Sequence, residues 1–157
     1  MDDRAIEATI RSYMQQVIHM SIATASDNRP RVFEVHFAFD DDLNLYWMSS
    51  QRAQHSADIK NNIHVSGTIV THHFLNQKPR GVAFDGEATV VDVVDEDSRA
   101  YQAYGARFAD RDAGILSAYE NPEGARLYKI AVQDFYLIDG LGDGPPVKHH
   151  LKWGGRE

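Results

Sequence analysis

There is no cysteine among the 157 residues. Disulfides, thiolate metal sites and a cysteine nucleophile are therefore excluded, and any redox chemistry must come from a bound cofactor. Basic charge is also short. Lys and Arg number 16 against 23 Asp and Glu, a net charge of −7. A general nucleic-acid binder needs a basic surplus to neutralise phosphates, so that class is excluded, whereas one small basic pocket is not. No apolar run approaches the length of a membrane span. The opening MDDRAIEATI has neither a basic n-region nor an apolar h-region. The expected setting is the cytoplasm, with no membrane partner. Internal repeats and low-complexity segments are absent as well.

What remains is ordinary globular material: 43% apolar and 25% charged residues. A chain of this length suits one domain, 1–157, with a sizeable core. The candidate chemistry concentrates in Leu45 to Lys60, LYWMSSQRAQHSADIK. This stretch reads as a buried strand, Leu45 to Met48, running into a helix that starts at Ser49-Ser50, either of which can cap it. Free N–H groups and the positive end of the dipole would then sit beside two hydroxyls, Arg52, Gln54 and His55. That combination suits a phosphate. A capped helix with a solvated first turn accounts for the same residues.

The rest of the chain alternates strands with short helices. Asp2 to Gln16 has Ile6, Ile10, Tyr13 and Met14 on one helical face, with Asp2 or Asp3 as cap. Val17 to Thr24 reads as a strand, and Ser26 to Pro30 as a turn cluster. Arg31 to Phe39 alternates, with Phe33, Val35, Phe37 and Phe39 on one face and His36 on the other. Asp40 to Asn44 closes a hairpin as a solvated turn. Ile63 to Val70 is a strand, and His72 to Arg80 is a loop. Gly81 to Val94 is a long strand in which the glycine of Asp85-Gly86 marks a bulge or a close backbone approach. Asp95 to Ser98 starts a helix that buries Tyr101, Tyr104 and Phe108, and a second helical piece spans Asp112 to Tyr119. Leu127 to Ile138 is the last strand. Gly140 to Pro146 is a loop, and Val147 to Trp153 a tail carrying Lys148, His149 and His150. The count is about six mostly antiparallel strands with short helices. Such a sheet must close or be covered at its edges, which points to a small barrel.

The stretches SIATASDNRPRVFEVHFAFDDDLNLYWMSS, NNIHVSGTIV and RGVAFDGEATVVDVVDEDSRAY, in this order, resemble the pyridoxamine 5′-phosphate oxidase-like superfamily, the flavin-binding split barrels. Within it the chain is most similar to a small subgroup of uncharacterised bacterial proteins. These share the RGV-F-GE strand and a late LG-G ending, here Leu141 to Gly144, before Trp153. The resemblance covers nearly the whole chain. It implies a mainly β fold with α, a six-stranded antiparallel split β-barrel, and a homodimer holding flavin mononucleotide (FMN) at the subunit interface. On that pattern Arg31, His36, Ser49, Ser50, Gln54 and His55 hold the phosphate. The backbone of Val32 and Phe33 meets the ring edge, and Gly81 takes the place of a polar residue on the fifth strand. Gln54-His55 replaces the adjacent basic residues of the vitamin oxidases, so pyridoxamine-phosphate oxidation itself is not the expected activity.

Histidine pairs at 72–73 and 149–150 invite a metal reading. Neighbours in an extended segment point to opposite sides, so neither pair chelates alone, and no HExxH pattern occurs. No metal is expected. No triad or glycosidase-type carboxylate pair can be assembled either, and the catalytic residues stay unassigned. The expected function is FMN binding, with flavin-dependent oxidoreductase activity on a small molecule. The alternative is a non-catalytic binding protein on the same barrel, carrying haem, deazaflavin or no cofactor.

Overall fold

The structure, a computed structural model, describes residues 1–108, 112–140 and 142–155. Leu141 of the late glycine motif lies outside the described residues, as do Arg156 and Glu157 of the single domain expected over 1–157. The elements run α1 (Asp3–Gln16), β1 (His19–Ser26), β2 (Arg29–His36), β3 (Ala38–Phe39), β4 (Leu45–Ser49), α2 (Gln54–Asn61), β5 (His64–Val70), β6 (Gly81–Val90), α3 (Arg99–Arg107), α4 (Asp112–Glu120), β7 (Arg126–Asp139) and β8 (Val147–Lys152). One eight-stranded sheet has the order β2-β1-β5-β6-β7-β4-β3, with β8 also paired to β7. Every pairing is antiparallel. The sheet curls into the half-barrel of an α+β split barrel, and it has eight strands where six were expected. The two extra strands are the two-residue β3 and the tail strand β8. Of β8 only Leu151 is buried, so its sequence carries almost no alternation to read.

Local chemistry explains the frame. Asp2 caps α1 by accepting from Ala5 N at 2.8 Å, and Ile6, Ile10, Tyr13 and Met14 are buried beneath it. Asp2→Ala should therefore cost about 1 kcal/mol in a urea melt, and an unchanged midpoint would mean that the cap contributes nothing. The β1–β2 hairpin turns on Asp27 and Asn28 alone, with φ of 51° and 61°. Paired left-handed residues make the tight turn that matches strand twist, and Asp and Asn tolerate that region best after glycine. Strand pairing thus continues to Ser26↔Arg29, inside the cluster read as a loop. Pro30 sits within β2, which an edge strand accepts because its outer N–H is not needed by a neighbour.

The bulge expected at Asp85-Gly86 is present as a register shift between β6 and β7. A Cβ on Gly86 would lie 2.7 Å from Ala131 O, so the close approach of β7 requires glycine there. The Asp40 turn differs from its solvated reading. Asp40 is buried and accepts from Asp42 N, Asn44 N, Asn44 Nδ2 and Tyr46 Oη at 2.8–3.0 Å. The main core lies inside the half-barrel around Trp47, Phe84 and Phe135. A second cluster, around Tyr46, Tyr104, Phe108 and Leu127, lies under α3 and α4. Tyr101, expected in the buried stripe, is only half-buried at its edge.

Candidate functional site

β2 lies on the free edge of the sheet and runs past α2. Its inward residues Arg31, Phe33 and Val35 alternate with the exposed Val32, Glu34 and His36. Phe33 meets the first turn of α2, where its ring stacks on His55 at 3.9 Å between centroids and 11° between planes. Arg31 meets the second turn. Its Nη1 donates to both oxygens of Asp58, at 3.0 and 3.2 Å.

Asp58 is 1% exposed. It also accepts from Thr24 Oγ1 at 2.8 Å and Gln54 Nε2 at 2.9 Å. Burial by itself would raise this carboxyl. The donors from Gln54, Thr24 and Arg31 outweigh it and hold the group below the ordinary aspartate range. A compact network, neutral as a whole, thus stands where the sequence suggested an open basic anchor.

The start of α2 also differs from expectation. Ser49 is the last residue of β4, Ser50 lies in a turn, and the helix begins at Gln54 with Ala53 at the N-cap and no side-chain cap. The cause is local. Ser50 Oγ accepts from Arg52 N at 3.2 Å, two residues on, while Ser50 O takes the hydroxyl of Ser56 at 2.8 Å. A serine engaged in such a turn is not available as a cap. The turn is tied down by Gln51, which donates to Pro122 O and Gly124 O. Gln54 and His55, in the first helical turn, present N–H groups with no intrahelical acceptor.

Ser49 Oγ lies 2.6 Å from His55 Nε2. Burial lowers the pKa of His55, with partial opposition from the Asp58 charge. Its imidazole is therefore mainly neutral at pH 7. This pair lines an open cleft of about 680 Å³ between the β2 edge, the end of β4 and α3, together with His19, Glu34, His36 and Tyr104. His36 stacks on Phe108 at 5.6 Å. β2 runs to His36 without a bulge, so strict alternation keeps Arg31 and His36 on opposite faces. Val32 is 71% exposed and lines a separate groove on the outer sheet face. Gly81 opens β6 opposite Val70 and Ile138, where a Cβ would fall 2.8 Å from Ile69 O. Of the nine positions singled out from sequence, His36, Ser49 and His55 share the cleft. Arg31, Phe33 and Gln54 pack behind it on α2, Ser50 shapes the turn, and Val32 and Gly81 are elsewhere.

Asp58, Thr24, Glu34 and His19 were not singled out as site residues, and Tyr104 was read only as part of a buried helical stripe. Gln54 and Asp58 are four residues apart, which is a legible helical pair, but only the tertiary fold adds Thr24 and Arg31 to it. Among the described residues no cluster of three His, Asp or Glu could hold a metal ion. His150 instead bonds Asp134 at 2.6 Å, and His73 faces Thr71 O. No helix among the described residues is long and apolar enough to cross a membrane.

No curated protein sequence matches this chain. Solved structures do match. General stress protein 26 from Bacillus anthracis aligns with a TM-score of 0.63 at 21% identity, over 93% of this chain and 98% of its own. HutZ, the haem storage protein from Vibrio cholerae, aligns with a TM-score of 0.63 at 18% identity, over 94% of each chain. A haem-binding protein from Mycobacterium smegmatis aligns with a TM-score of 0.73 at 16% identity, over 92% of this chain; the match spans only 56% of that protein. At such identities the likeness is one of fold. The family described as pyridoxamine 5′-phosphate oxidase matches residues 6–139. With that match spanning most of the sequence, and with the split barrel that carries it, the chain belongs to the pyridoxamine 5′-phosphate oxidase family.

Proposed function

We propose that this protein binds FMN in the cleft between β2, β4 and α2, as a cytoplasmic homodimer, and uses it as a flavin-dependent oxidoreductase on a small molecule. The observation that carries the reading is the Ser49–His55 pair at the mouth of α2, beside the first-turn N–H groups of Gln54 and His55. Together these are hydrogen-bond donors of the kind that hold a phosphate at a helix N-terminus. The residues fit the group through hydrogen bonds more than through net charge, since Arg31 is already paired with Asp58. The bound flavin would supply the electron-pair chemistry that a chain without cysteine lacks. The protein's own residues would orient the ring along the β2 edge and exclude water with Tyr104 and Phe108. The outer sheet face, where Val32 is exposed, is the surface we assign to the second copy.

Haem is the second reading, favoured by one observation. His19 and His36 are direct register partners on β1 and β2, and both line the cleft. Histidine is a common axial ligand of haem, and two of the structural relatives are haem proteins by name. The visible spectrum after incubation with each cofactor and desalting separates the readings. Stoichiometric retained flavin is the expected outcome. A Soret band with no flavin would move the assignment to haem, and no chromophore would leave a cofactor-free scaffold.

A further inference from the structure

The cleft has an unusual charge balance for a phosphate site. The guanidinium of Arg31, on the strand that edges it, is bound by the buried Asp58 carboxylate, which also holds Gln54 and Thr24. Among the described residues, the titratable and charged groups that line the cleft or pair beside His55 are Arg31, Glu34 and His36 of β2, His19 of β1, Asp58 of its own helix and Tyr104 of α3. Glu34, held by the Ser21 hydroxyl, adds negative charge at the rim. Among the described residues neither Lys nor Arg lines the cleft. Among the described lining residues, a dianionic phosphate entering it would meet donors but no uncompensated cation. His55 is the group in the cleft best placed to become one, because it is bonded to Ser49 and stacked on Phe33.

We propose that Asp58 sets the charge requirement of this site: with Arg31 already neutralised, a phosphate monoester binds together with one proton, which His55 takes from solvent. The inference rests on the FMN reading for its natural ligand. Its chemistry is that of any phosphate monoester. Where Nε2 of the neutral ring accepts from Ser49, protonation reverses that bond. Nε2–H then donates to the serine oxygen, and the freed hydroxyl turns into the cleft to donate to the phosphate. His55 thereby contributes both a charge and a redirected hydrogen bond. Stacking on Phe33 holds the ring fixed through the change, and a cation against an aromatic face is itself favourable. The lowered resting pKa of His55 is consistent with this, since it leaves the site vacant of charge until an anion arrives.

The test is the NMR titration of His55 in the intact protein, alone and with inorganic phosphate, FMN or riboflavin. Inorganic phosphate and FMN should each raise the His55 titration by about one pH unit, equivalent to roughly tenfold tighter binding to the protonated form. Riboflavin, which has no phosphate, should not. FMN affinity should correspondingly fall by up to about tenfold across the whole His55 titration, of which about two- to threefold lies between pH 7 and pH 8. Asp58→Asn, which releases the charge of Arg31, should bind FMN more tightly at pH 8 and lose most of that dependence. If neither phosphate nor FMN moves the His55 titration, the proposal is overturned. It is also overturned if His55→Gln keeps the wild-type pH dependence, because the proton would then be on His19 or His36. If inorganic phosphate raises His55 while neither flavin perturbs the cleft, the proton-linked anion site stands and the flavin reading fails.

Discussion

Arg31→Ala should lower the unfolding free energy by about 2–4 kcal/mol at pH 7. Asp58 is 1% exposed and its charge is compensated by Arg31. Removing the guanidinium leaves a buried carboxylate with only Thr24 and Gln54 as donors. The loss stays near the lower part of the range for broken buried pairs because the side chain of Arg31 is 37% exposed, so water can reach the vacated end. The pH dependence follows from the sign of the shift. In the native protein Asp58 is held below its unfolded pKa. It therefore contributes stability above about pH 4 that disappears as pH falls through its folded value. In the variant, burial pushes the same carboxyl upward with less opposition. The deficit should thus be largest at neutral pH, should narrow as pH falls through the variant's raised Asp58 value, and closes only below the lowered native value, where both proteins carry a protonated Asp58. Urea denaturation at pH 7 and pH 3.5 measures both points, and an equal deficit at the two would sink the charge argument. Adding Asp58→Asn to Arg31→Ala should recover part of the loss, since the unpaired charge is then gone.

Arg107→Met should destabilise the fold by a comparable 2–4 kcal/mol. Arg107 ends α3, yet its guanidinium reaches back to donate to Met14 O at 2.9 Å, to Phe37 O at 3.2 Å and to Val17 O. Met14 O belongs to the last turn of α1, whose carbonyls have no intrahelical partner. Phe37 is where the chain passes from β2 to β3. One side chain therefore ties together α1, the β2–β3 break and α3. It also lies over the Phe37 ring at 4.7 Å. Burial lowers its pKa, but the guanidinium stays charged, its charge met by carbonyl dipoles and the aromatic face. Methionine would keep the apolar stem and strand three acceptors. The melting temperature should fall by roughly 5–12 °C. Tyr104, one turn earlier on α3, lines the cleft, so ligand affinity should weaken as well. Wild-type melting in the variant would mean that these carbonyls are satisfied without Arg107.

Much of the scaffold was legible before any coordinates. The stripe Ile6, Ile10, Tyr13 and Met14 has helical spacing, and that face is buried. The glycine inside a long strand marked the bulge at Asp85-Gly86, because a missing Cβ within a ladder usually means close backbone approach. The order strand then helix from Leu45 to Lys60 was read correctly, but the intervening turn was not, so the cap was misplaced. Whether a serine hydroxyl serves a helix or a preceding turn depends on how the intervening residues are anchored, and here Gln51 is held by a turn more than seventy residues later. Tail strand β8 was missed because only one of its residues faces the core.

Local sequence determined most of the helices and strands, the hairpin turn at Asp27-Asn28 and the apolar faces that curl one sheet into a half-barrel. Each depends on side-chain period or on backbone preference over a few neighbouring residues. The charge of the candidate site was decided only in three dimensions. Arg31 reads as a free cation until Asp58, twenty-seven residues on, is brought against it. His55 reads as an exposed helix residue until Phe33 stacks on its ring and Ser49 bonds its nitrogen. A side chain's charge is an intrinsic property, but its availability depends on which partners the fold places within hydrogen-bonding distance and how much water it removes. Those two quantities are tertiary.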